Sequence, residues 1–224
     1  LNETLPDGVT WGWGDGGGYY WKAWLKQRAH PASLLLLATN PYMLFMLLDV
    51  YQAYGQLPTN RGQLFDQFVE TLLEREELLK WNEAAKRMVS LPQGAELLMT
   101  LTELAFALQT RRAGQDGDAA ALTALPLAEA SRYLNAAQQY QAVSANLLTI
   151  GRDVRFAHQL LQEYFAARAM RERIWGRDGE GQGSAEERGL KAAEIWPPAR
   201  WWEPTNWEEA TILLAGLFSD DCTP

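Results

Sequence analysis

A change of hydrophobic period around His158 sets the strongest limit on what this chain can fold into. In NLLTIGRDVRFAHQLLQEYFAARAM, Asn146 to Met170, two short apolar runs are joined through Gly151-Arg152-Asp153, and the second places Val154 and Phe156 two residues apart. That pattern reads as a β-hairpin. Directly after it, Leu160, Leu161, Tyr164, Phe165 and Ala169 recur at helical spacing, and the run reaches Trp175. A hairpin that runs straight into a helix through a histidine is the organising feature of the C-terminal half.

The remaining segments read mostly as helices. Asn40-Pro41 is a strong start, because Asn caps free backbone N–H groups and Pro fits the first helical position; Gly55 stops the run after Tyr54. In LPTNRGQLFDQFVETLLEREELLKW, Asn60 and Gln63 have capping-box spacing, and Leu64, Phe65, Phe68, Val69, Leu72 and Leu73 form a wide apolar stripe. AELLMTLTELAFALQTRR carries Leu97, Leu98, Leu101, Leu104, Ala105 and Leu108 on one side, and the polar AGQDGD loop follows. A shorter helix is predicted over 127–137, after Pro126. In NWEEATILLAGLF, Asn206 and Glu209 have capping-box spacing and predict a last helix.

Two stretches lack this periodicity. Residues 1–31 are rich in Gly and Trp and read as a loop followed by a short helix. Gly176 to Gly189 is glycine-rich and charged, as a linker is, and KAAEIWPPARWWEP beyond it holds too many prolines and tryptophans for a regular helix. The domains expected are a poorly patterned segment over 1–31, a helical subdomain over 32–92, a winged-helix domain over 93–175, a linker over 176–205 and the start of a second helical domain over 206–224. The fold class is mainly α: a helical subdomain, then a winged-helix unit with one short β-hairpin, then a C-terminal helical segment.

Composition narrows the function classes. With 47% apolar residues over 224 positions, the chain can bury a sizeable core. The longest apolar candidate, SLLLLATNPYMLFMLLDV, is broken by Asn40-Pro41 and ends near Asp49, so it reads as buried helices and not as a membrane span. The chain starts at Leu1 without a signal-peptide pattern and reads as a piece of something longer. Its single cysteine, Cys222, excludes an internal disulfide and suits a reducing compartment, so the expected location is cytoplasmic. A net charge of −8 argues against a broad phosphate-backbone footprint, and the densest basic cluster, Arg152, Arg155, Arg168, Arg171 and Arg173, is interleaved with Asp153, Glu163 and Glu172. No nucleic acid and no membrane partner are expected. The two histidines and one cysteine do not make a typical zinc site, no catalytic constellation can be nominated, and GxxxxGK[ST] is absent.

FAHQLLQEYFAARAM resembles the F-x-H-x-x-x-Q-E-Y-hydrophobic-A-A signature in the winged helix of NACHT-type STAND NTPases, signal-transducing P-loop ATPases that include innate-immune receptors and bacterial defence proteins. ATNPYMLFMLLDVYQAYGQLPTNRGQLFDQFVETLLERE resembles the family's first helical subdomain, and NWEEATILLAGLF the segment after its winged helix. The three segments lie in the family's order between about residues 33 and 218; residues 1–31 match poorly, and the Walker A and B motifs are missing.

The resemblance implies the regulatory half of a nucleotide-binding module, not an enzyme by itself. The cofactor implied is ADP or ATP, with Mg²⁺ held by the absent P-loop lobe. Implied partners are the protein's own N-terminal P-loop lobe, a C-terminal sensor or repeat domain, and further copies in a homo-oligomer on activation. By match of motif, His158 would contact the nucleotide phosphate and Pro41 would pack on the adenine. A helix N-terminus beside His158 suits a phosphate, because unpaired N–H groups and the positive dipole end point outward. The plainer reading is a packed histidine bonded to a carbonyl, and a Pro41 that only starts its helix. Gln162 is expected as a buried hydrogen-bonder, Tyr164 and Phe165 as core and Glu163 as solvated; His30 receives no role. Two other readings stay open: a nucleotide-independent helical interaction module, and a winged-helix DNA binder.

Overall fold

The computed structural model describes residues 37–84, 94–113, 123–175, 190, 192–200 and 203–218. The Gly/Trp-rich segment with His30, the AGQDGD loop past Ala113, the Gly176–Gly189 linker and Cys222 lie outside them. The chain forms two compact units that divide at Asn60/Arg61.

In the first unit, helix α1 spans Pro41–Tyr54. Its ends are written in local chemistry. The Asn40 Oδ1 accepts the N–H groups of Tyr42 at 2.9 Å and Met43 at 3.5 Å, Pro41 takes the first position, and Gly55 closes the helix with φ +71°. That conformation penalises any residue with a Cβ, so glycine ends the helix there. Met43, Met46, Leu47 and Val50 are buried.

The second unit begins with α2, Arg61–Ala84, whose predicted stripe from Leu64 to Leu73 is buried at each of its six positions. Helix α3, Gly94–Ala113, buries Leu97, Leu101, Leu104, Ala105 and Leu108, and also two polar residues, Thr102 and Gln109. Strand β1, Ala124–Pro126, follows, then a single turn, α4, over Leu127–Ala130. The continuous helix predicted over 127–137 is instead interrupted. Asn135 starts a new helix, α5, Ala136–Ser144, through a full capping box with Gln138, and a strong cap inside an apolar run breaks it in two.

The hairpin forms as predicted, from β2, Leu148–Ile150, and β3, Asp153–Phe156. Strand β1 adds to it, giving an antiparallel sheet in the order β1-β3-β2. Leu125, Leu148, Val154 and Phe156 are buried, whereas Arg155 and Thr149 are exposed. This is the alternation of a sheet with one face on a core. Helix, strand, two helices and a hairpin whose second strand lies in the middle make the winged-helix arrangement expected.

Helix α6, Gln159–Trp175, packs against α3 on one side. The last helix, α8, Glu208–Leu217, packs against α6 and α2, after a single turn, α7, at Ala192–Ile195 and a 3₁₀ turn at Pro198–Arg200. The contact boundary at Asn60/Arg61 does not coincide with the compositional boundary at 92/93, because α2 is joined to α8 and α6 by packing that local composition does not encode.

The N-cap of α8 also differs from expectation. Asn206 does not cap; its φ is +65°, and the reciprocal contact falls one residue earlier. Glu208 accepts the Thr205 N–H at 2.6 Å while the Thr205 hydroxyl accepts the Trp207 N–H at 3.4 Å. These contacts lie ahead of the helix, whose N-cap is Trp207 with no side-chain cap bond, and Glu209 pairs instead with Arg61.

Candidate functional site

Strand β3 hands over to α6 within two residues. Ala157 donates its N–H to the Leu147 carbonyl at 3.0 Å, which carries the sheet one residue further and leaves His158 at the N-cap of α6. The His158 carbonyl accepts the N–H groups of Leu161 at 3.0 Å and Gln162 at 3.4 Å. Its Nδ1 accepts the N–H of Leu160 at 3.2 Å. An Nδ1 that accepts from an amide holds no proton, so the neutral ring carries its hydrogen on Nε2. Partial burial lowers the imidazole pKa and favours that neutral form.

This geometry revises the picture of an open cradle of amides. The side chain of His158 takes the Leu160 N–H, and the backbone of the same residue takes the next two. The ring therefore accepts from a helix amide through Nδ1, an N-capping contact within its own helix. An anion at this end would meet the positive end of the helix dipole.

Pro41 is exposed at the first position of α1, behind the Asn40 cap. It belongs to the first unit and His158 to the second. The proline's role in starting the helix is accounted for by Asn40, and its ring also presents a rigid apolar surface to solvent.

One turn into α6, the helix enters protein on nearly every side, with each residue from Leu161 to Ala167 buried. Tyr164 and Phe165 are core, as expected: Tyr164 stacks on Phe65 at 5.6 Å and Phe165 lies 5.5 Å from Phe156. Gln162 is buried and donates to the Gln109 Oε1 at 2.9 Å, as a buried hydrogen-bonder should.

Glu163 corrects its expectation. It is 4% exposed and pairs with Arg112 at 2.9 Å, while the Gln159 amide donates to the same oxygen at 2.7 Å. Burial pushes its pKa up, the bonds from Gln159 and Arg112 oppose the rise, and the charge of Glu209 adds to it. The helical wheel misses this because it assigns one buried face, and α6 has neighbours on three sides.

Other polar ties surround α6 that residue spacing gave no sign of. The Tyr164 hydroxyl donates to Asp66 at 2.5 Å, and Arg168 donates to the same carboxylate at 2.7 Å. Arg173 reaches Glu103 at 2.7 Å and lies over the Phe106 ring at 3.9 Å. The one clue in the sequence was Gln109, an amide on the apolar stripe of α3. Of the tryptophans, Trp207 is in the core against Phe106 and Trp196 is at the surface.

Among the described residues, no group of three or more His, Cys, Asp or Glu could hold a metal ion, and no helix is long and apolar enough to cross a membrane. Comparison with models of known protein families, with curated proteins and with solved structures finds no match for this chain.

Proposed function

We propose that this chain is the regulatory, closed-state portion of a NACHT-type STAND signalling ATPase acting in cytoplasmic innate-immune-like or bacterial defence signalling. The observation that carries this reading is the His158 imidazole at the junction of hairpin and helix, whose Nδ1 caps the N-terminus of α6 and whose neutral form carries its hydrogen on Nε2. A phosphate oxygen is the acceptor such a donor fits, beside the positive end of α6. The exposed ring of Pro41 fits the flat apolar face of an adenine.

In this reading the P-loop lobe of the same protein holds ADP, ATP and Mg²⁺, and this portion hydrolyses nothing alone. His158 and Pro41 contribute binding only. Exchange of ADP for ATP releases the winged helix and permits homo-oligomeric signalling, with a C-terminal sensor or repeat domain as the input. Such a switch requires the two nucleotides to favour different states by a few kcal/mol.

The test is the nucleotide that co-purifies with the complete protein. The wild type is expected to carry ADP, and His158→Ala or His158→Leu to lose it and assemble spontaneously. Unchanged ADP content and oligomeric state would reduce His158 to a structural cap.

A second reading, a nucleotide-independent interaction module, is favoured by one feature. Helix α1 exposes Leu44, Phe45, Leu48 and Tyr51 at positions that share a face. A reading frame without GxxxxGK[ST] upstream would favour this alternative. Duplex DNA is the poorest fit, since the exposed positions of α5, Ala136, Ala137, Tyr140 and Val143, offer a phosphate backbone no cation.

A further inference from the structure

The C-terminal helix is fastened to α6 by contacts that converge one turn beyond His158. Gln109, fully buried on α3, bridges the two: its Nε2 donates to the Asn206 carbonyl, just before α8, and its Oε1 accepts from Gln162 on α6. Asn206 reaches that position with φ +65°, a conformation asparagine tolerates better than most residues. Trp207 is buried against Phe106, whose other neighbour is the Arg173 guanidinium of α6.

The far side of α8 is keyed to α2. Arg61 donates to Glu209 at 2.6 Å. A Cβ on Gly62 would stand 2.6 Å from the Leu213 carbonyl oxygen and 2.7 Å from the Leu217 nitrogen, so the two backbones touch there. Glu209 is also close enough for its charge to act on Glu163.

We propose that α8 is a strap whose seating between α2 and α6 holds the first turn of α6, and with it the His158 imidazole, in its capped geometry. The mechanical path is short. Gln162 is held by Gln109, which the Asn206 carbonyl holds in turn, and its N–H closes the first turn on the His158 carbonyl; Glu163, tied to Arg112 of α3 and within reach of the Glu209 charge, anchors the Gln159 side chain. Lifting α8 removes the acceptor of the buried Gln109 amide. The stranded amide then gains more from water than from its remaining contact with Gln162, and the turn that Gln162 closes loosens. The buried face of α8, Ala210, Leu213 and Leu214, supplies the apolar contact, while the polar ties and the Trp207 anchor make the seating specific in register; local opening of one helix in this way is separable from global unfolding. The coupling itself needs no nucleotide. Only its consequence rests on the proposed function: a load arriving from a downstream sensor through α8 reaches the residue assigned to the phosphate.

Native-state hydrogen exchange on the 224-residue chain tests this. Gly62→Ala disturbs the seat of α8 without touching α6, and Gln109→Leu cuts the bridge. In both, exchange is expected to rise roughly tenfold over Thr211–Leu217 and over Leu160–Glu163 together, while Leu148–Phe156 keeps wild-type protection. The milder Glu209→Gln should give a smaller change in the same two segments. Faster exchange in α8 with Leu160–Glu163 unchanged would overturn the coupling, and so would no change in either. Simultaneous loss of protection everywhere would also overturn it, since no separable strap would exist. Failure of the ADP experiment would remove the nucleotide reading and leave these exchange results standing.

Discussion

The Nδ1 of His158 lies 3.2 Å from the amide nitrogen of Leu160 and accepts its hydrogen, which makes the imidazole the N-cap of α6. Capping uses Nδ1 and the proposed phosphate contact would use Nε2, so substitutions can separate them. Asparagine caps well but lacks the imidazole's Nε2–H; alanine does neither. His158→Ala is expected to lower stability by about 1 kcal/mol in urea unfolding, and His158→Asn to stay within about 0.5 kcal/mol of wild type.

The same ring gives a signed pH dependence. Burial places the folded-state pKa of His158 below the ordinary imidazole value, so the unfolded chain takes up a proton first as pH falls. The contribution of His158 is complete above about pH 6.5 and is lost as pH falls through that value toward the lowered folded pKa. Glu163 acts in the opposite sense: with its folded pKa raised, stability is lost as pH rises from the ordinary carboxylate range through the raised value. Urea midpoints across this range should show a flatter curve below neutrality for His158→Asn and, for Glu163→Gln, loss of the opposing slope at higher carboxylate pH. A wild-type slope in His158→Asn would mean that the imidazole does not titrate with folding.

Arg112 and Glu163 form an ion pair with side chains only 14% and 5% exposed. Removing one partner strands the other in a poor solvent. Arg112→Met is expected to cost about 3 kcal/mol, and the double change Arg112→Met with Glu163→Met to recover most of it, because two apolar side chains leave no charge buried. A double-mutant cycle by denaturant unfolding measures the difference. Equal losses in single and double variants would place the cost in packing.

Three glycines should respond differently to alanine. At Gly62 the added methyl meets the backbone of α8, and overpacking of this kind costs about 1–3 kcal/mol. Gly55 has open space but φ +71°, so the cost there is conformational, about 1 kcal/mol. Gly151 has open space and no positive φ, so Gly151→Ala should be near neutral. Thermal midpoints of the three variants order them, and a silent Gly62→Ala would contradict the close approach of α2 and α8.

Which features were legible from sequence follows from how local their causes are. Asn40, Pro41 and Gly55 act within a turn of where they sit, and α1 has the bounds they predict. The hairpin at Gly151 and the core roles of Tyr164 and Phe165 were legible for the same reason. Strand β1 was not, because three residues become a strand only by pairing with β3. The Asn206–Glu209 cap was misread because Asn206 takes φ +65° and Glu209 pairs with Arg61, far away in sequence. At the site, the motif resemblance singled out His158 but gave no sign of the use of its Nδ1. Glu163 was misread because a buried charge depends on its partner, here Arg112, which lies on another helix.

The most direct measurement is the ADP bound per molecule of the complete protein, compared between wild type and His158→Asn. Asparagine preserves the cap of α6 while replacing the ring Nε2–H assigned to the phosphate by a shorter side-chain amide, so folding and binding are read separately. The expected result is a variant with wild-type unfolding behaviour that has lost most of its ADP and assembles without a stimulus. A variant that folds normally and keeps its full complement of ADP would contradict the role assigned to His158.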